Sequence, residues 1–161
     1  MKKISIIYFF LFLIIFAGFV GYVATAKDFK KPDAGLNQEE FGITDESPIW
    51  EKSIDDLAKY LKEEGFLKSL KGEKLATSEL CSDAVKFGDI EIFWWDLDKL
   101  DKDSQEYDAF TQMRESGMID LYGSGNMMST IQQGPFGINI KDYSGNKETL
   151  IKAYHKFGVD N

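Results

Sequence analysis

Hydrophobic positions are distributed along this chain in two different ways. From Ile4 to Val23 they are continuous: ISIIYFFLFLIIFAGFVGYV runs twenty residues without a charge, behind Lys2 and Lys3. Beyond Ala26 they are periodic and separated by charge, as in a chain that folds in water. A hydrocarbon core about 30 Å thick takes about 20 residues of helix, so Ile4–Val23 is long enough to cross it. Two readings of this segment stand. One is a retained anchor with the lysines on the cytoplasmic side and the remainder exported. The other is a signal peptide cleaved after Ala24-Thr25-Ala26, an A-x-A site followed at once by Lys27 and Asp28.

The stretch 27–46 mixes charge with Pro32, Gly35 and Gly42 and keeps no apolar period, which predicts a flexible tether. A domain is expected over 47–161. Ser47-Pro48 reads as a helix start, and Trp50, Ile54, Leu57, Ala58 and Leu61 recur on one helical face up to Gly65. Leu80, Cys81, Ala84 and Val85 also share a helical face, which predicts a second, shorter helix from about Ser78 to Gly88. Asp89–Asp98 is the strongest strand signal: Ile90, Ile92 and Trp94 alternate with Phe93, Trp95 and Leu97. A helix follows behind the capping pattern Asp103-Ser104-Gln105-Glu106, with Tyr107, Phe110 and Met113 inward and Gly117 as its stop. Short strands are expected at 118–122, 127–132 and 136–140. A last helix carries Leu150, Ile151, Tyr154 and Phe157 and ends at Gly158. The fold class expected is α+β. A mixed or antiparallel sheet of three or four strands packs with about four helices, placed on one face of the sheet and preceded by the N-terminal segment.

Composition narrows the partners. The 161 residues carry 19 basic and 27 acidic side chains, net −8; without Lys2 and Lys3 the remainder stands at −10. Such a surface repels phosphate backbones, so no nucleic-acid partner is expected, and membrane contact is expected through 4–23 only. Cys81 is the only cysteine, so the exported domain has no internal disulfide. That economy, with Arg114 as the single arginine among lysines, points to a bacterial cell envelope.

No reaction motif stands out. The acids Asp96, Asp98, Asp101 and Asp103 do not match an EF-hand. Counting from Asp96 puts Leu100, Asp101 and Tyr107 where a ligand, a glycine and a glutamate belong, so a solvated helix-capping turn is expected. Gly123-Ser124-Gly125-Asn126 lacks the Lys-Ser/Thr of a phosphate loop and reads as turn chemistry. His155, the only histidine, falls between Lys152 and Lys156 beside the apolar stripe and is expected on a wet flank. One histidine and one cysteine do not make a zinc site, and no metal or cofactor is expected. Cys81 reads as a buried core thiol with no cation beside it.

Aromatic content carries the remaining signal. Trp94 and Trp95 must face opposite ways on a strand. With one face uncovered, Phe93 and Trp95, joined by Tyr122, make an exposed aromatic surface that takes an envelope protein, a peptide or a glycan. With both faces covered, the rings are core. The function expected is a non-enzymatic binding module of the envelope. The alternative is a small cell-wall or glycan hydrolase drawing paired carboxylates from Glu91, Asp96, Asp98 and Asp120.

Overall fold

The computed structural model describes Ile43, residues 47–77 and residues 79–159. The apolar segment 4–23 and the tether expected over 27–46, apart from Ile43, lie outside the described residues. Among the described residues no helix is long and apolar enough to cross a membrane.

The helix expected from Ser47 is broken in two. Pro48–Glu51 forms a single 3₁₀ turn, and α1, Ile54–Glu63, starts afresh at Ser53. The restart has a local cause. Ser53 Oγ accepts from the Asp56 amide at 3.3 Å, while Asp56 Oδ2 accepts from the Ser53 amide at 2.9 Å, a reciprocal capping box. Leu57, Ala58 and Leu61 face inward, and Gly65 at φ 83° ends the helix.

The helix expected over 78–88 is a strand. After the short β1, Glu73–Lys74, comes β2, Asp83–Phe87, which pairs antiparallel with β3, Ile90–Trp94. Gly88 and Asp89 form the two-residue turn between Phe87 and Ile90. Gly88 takes φ 60° and Asp89 does not, the arrangement of a type II′ hairpin, whose twist suits the flanking strands. The apolar spacing that mimics a helix here is overridden by pairing with a strong neighbouring strand.

Helix α2, Gln105–Ser116, begins where Ser104 Oγ accepts from the Tyr107 amide and stops at Gly117, φ 64°. Two-residue strands β4, Met118–Ile119, and β5, Met128–Ser129, pair as a separate ribbon. Then β6, Ile131–Gln133, and β7, Phe136–Asn139, form a hairpin closed by Gly134-Pro135. Helix α3, Lys147–Tyr154, is capped by Asn146. The main sheet is antiparallel, in the order β1-β2-β3-β7-β6. The described region is therefore α+β with three helices and a five-stranded sheet, one helix fewer and one strand more than the pattern suggested.

Helices cover both faces of the sheet, not one. Ile90, Ile92, Phe136 and Ile138 pack with α1 and α3 through Leu57, Leu61, Leu150 and Tyr154. On the opposite face Phe93, Trp95 and Ala84 pack with α2 through Phe110 and Met113, and with Ile119 and Leu121. The cause is the alternation in β3, which puts a large apolar side chain on each face; leaving either wet forfeits about 1.5–3 kcal/mol per residue.

His155 is buried, not on a wet flank. It caps α3 beside β6, where its Nδ1 lies 3.1 Å from Gln133 Oε1. Gln133 Nε2 donates to the carbonyls of His155 and Phe157 at 3.2 and 3.0 Å. That fixes the amide with Oε1 toward the ring, so Nδ1 is assigned the proton.

Candidate functional site

The ribbon β4–β5 carries a surface loop, residues 120–127, that is anchored at its base and open at its tip. Ile119 and Leu121 are fully buried and hold it to the core. Asp120 folds the loop on itself. Its Oδ1 accepts from the amides of Tyr122 at 3.3 Å and Ser124 at 3.1 Å, and Oδ2 from the Gly125 amide at 2.6 Å. Partial removal from water works to raise this carboxyl's pKa, but the amides of Gly125, Ser124 and Tyr122 outweigh it and hold the pKa below the ordinary value. Gly125, at φ 78°, supplies the left-handed turn. Of the three large apolar side chains exposed among the described residues, two stand on this loop: Tyr122 at 41 % and Met127 at 43 %.

Beneath the loop runs a polar row set by strand register. Lys86 in β2 stands opposite Glu91 in β3, and Glu91 opposite Asn139 in β7. Lys86 Nζ lies 3.1 Å from Glu91 Oε1, and Asn139 Nδ2 donates to Glu91 Oε2 at 2.9 Å. Asn139 Nδ2 also lies 3.3 Å from Met128 Sδ, which ties the row to β5. The hydrogen bond to Glu91, together with its charge, raises the pKa of Lys86. Loss of water raises that of the Tyr122 phenol, with the Glu91 charge adding and the Lys86 charge opposing. Tyr122 thus feels the charged row while remaining exposed to solvent.

The three aromatic positions singled out in the sequence share one side of the sheet but not one exposure. Phe93 and Trp95 are fully buried. Trp95 packs on Phe110 at a centroid distance of 5.6 Å and donates Nε1–H to the Leu80 carbonyl at 2.9 Å. They are core, because α2 covers the face they line, and the exposed platform reduces to Tyr122. Lys86 was not legible as a charge near Tyr122, since the residues around it read as helix, and Asn139 joins Glu91 only through register.

Of the four carboxylates considered for hydrolysis, Glu91, Asp96 and Asp120 each have a local partner. Both oxygens of Glu91 are engaged, Asp120 holds its own loop, and Asp96 pairs with Lys99 at 2.6 Å. Asp101 accepts from the Asp103 amide, and its carbonyl from Ser104 Oγ, so this acidic stretch builds the entry to α2. Among the described residues no three His, Cys, Asp or Glu side chains group as metal ligands. Cys81 is buried in the loop before β2. Burial pushes its thiol up to about 11, against a weak contact from Sγ to Thr77 Oγ1 at 3.5 Å. No family model, curated protein or solved structure matches the chain.

Proposed function

We propose that this chain is a binding module of a bacterial cell envelope. In this reading the domain stands outside the membrane, held there by Ile4–Val23 or released after Ala26, and captures an envelope protein, peptide or glycan through the 120–127 loop. The observation that carries the reading is the exposed pair Tyr122 and Met127 on a loop braced by three backbone amides onto one carboxylate. A tyrosine held in place spends little conformational entropy on contact, and aromatic side chains of this kind dominate interface energetics. The location rests on the uncharged run behind Lys2 and Lys3.

Affinity capture from host envelope with full-length protein and Tyr122→Ala tests it. Capture should be lost in the variant while its unfolding free energy stays within about 0.5 kcal/mol of wild type. Trp95→Ala serves as the contrast, losing about 3–5 kcal/mol of stability. Equal capture by wild type and a Tyr122→Ala/Met127→Ala double variant refutes the loop as the contact. A reporter fused at Asn161 that faces the cytoplasm refutes the location.

A further inference from the structure

At the end of the sheet where β2 turns into β3, three glycine-bearing turns converge: Gly65 after α1, Gly88 in the hairpin and Gly145 ahead of α3. Between them lies a cleft of about 370 Å³, within the size range of small-molecule sites. Its floor is apolar, made by the buried Leu67, Phe87 and Ile90, and its walls include the half-buried rings of Phe66 and Tyr143. Tyr143 is held close under the backbone, since a Cβ on Gly145 falls 2.5 Å from its hydroxyl oxygen.

The rim differs in chemistry from the floor. Ser144 Oγ lies 3.4 Å from Asp89 Oδ2, a hydroxyl and a carboxylate side by side. Lys68 and Lys71 stand exposed at the same rim. Four of the thirteen described lysines pair with carboxylates, Lys74 with Asp83, Lys86 with Glu91, Lys99 with Asp96 and Lys152 with Glu148; Lys68 and Lys71 belong to the larger group that does not. Lys68 and Lys71 have no acidic partner among the described residues, although Asp89 lies on the same rim. Two uncommitted cations beside an aromatic-walled cleft, in a protein of net charge −8, complement an anion carried on a ring.

We propose that this cleft binds a carboxylated sugar, a pyranose ring bearing one carboxylate. The rings of Phe66 and Tyr143 offer faces to the C–H side of the sugar, Asp89 and Ser144 take its hydroxyls, and Lys68 and Lys71 take its carboxylate. A neutral sugar leaves the two lysines without a role, and a simple organic anion leaves the aromatic walls without one.

Calorimetric titration of the full-length chain in a polyoxyethylene detergent with glucuronate tests this, with glucose and acetate as comparison ligands. Saturable glucuronate binding is expected, at least tenfold tighter than glucose or acetate. It should be weakened at least tenfold in Lys68→Gln/Lys71→Gln, whose exposed positions leave the melting curve unmoved. Absence of saturation by about 10 mM glucuronate overturns the proposal. So does equal binding of glucose or acetate, or glucuronate binding that the double variant leaves unchanged.

Discussion

Lowering the pH from 7 to 5 should weaken this fold through one side chain. His155 is buried at the C-terminal end of α3, and loss of water holds its imidazole down to about 4, against an ordinary value of 6.5. Between those values the unfolded chain binds a proton that the folded chain refuses, so stability falls as pH falls from 6.5 towards 4. The whole displacement is worth about 3 kcal/mol, of which about 2 kcal/mol falls between pH 7 and 5. The carboxyls of Asp56, Asp120 and Glu148 have lowered pKa values, from ordinary values of 3.8, 3.8 and 4.5. Their stabilisation is therefore lost mainly below pH 5, outside this window. Urea unfolding followed by tryptophan fluorescence at pH 7, 6 and 5 reads the effect as a fall of about 1 M in midpoint. His155→Asn keeps a donor near Gln133 Oε1 and removes the titration, so its stability should change far less over the same range. Parallel pH curves for wild type and variant refute a neutral buried imidazole.

Gly158 offers a second test. It takes φ 68°, and a Cβ there falls 2.8 Å from the Ile49 Cα, so Gly158→Ala meets both backbone strain and a backbone atom. The expected loss is about 2–4 kcal/mol in thermal or urea unfolding, and a loss below about 0.5 kcal/mol contradicts the packing. Cys81 gives the third. With its thiol buried and pushed up to about 11, it should stay unreacted with a disulfide reagent at pH 7.5 in the folded protein and react at once in urea. Rapid modification of native protein contradicts its burial.

What the sequence made legible follows from how local each feature is. The two faces of β3 were readable because the alternation of Ile90, Ile92 and Trp94 with Phe93 and Trp95 is a property of five neighbouring residues. Helix ends were readable where a single glycine decides them, Gly117 for α2 and Gly65 for α1, whereas the cap of α2 stands one residue later than the 103–106 capping pattern implies, at Ser104. The segment 78–88 was misread because Leu80, Ala84 and Val85 satisfy a helical spacing, while the strand that captures 83–87 is a separate element joined by one tight turn. His155 escaped for a related reason: its flank is dry only because Gln133, twenty-two positions earlier, lies against it.

The same distinction divides the candidate site. Tyr122 stands three residues beyond β4, beside Gly123-Ser124-Gly125, in a loop that Asp120, two residues away, folds on itself, so its backbone setting is local. The charged row beneath it draws one residue from each of three strands, and Asn139 reaches Glu91 across forty-eight positions of chain. Only the register of β2, β3 and β7 brings those three together, and a slip of one residue turns each of them to the opposite face. Tyr122 can therefore sense the Lys86–Glu91 pair only while the β2–β3 and β3–β7 registers both hold.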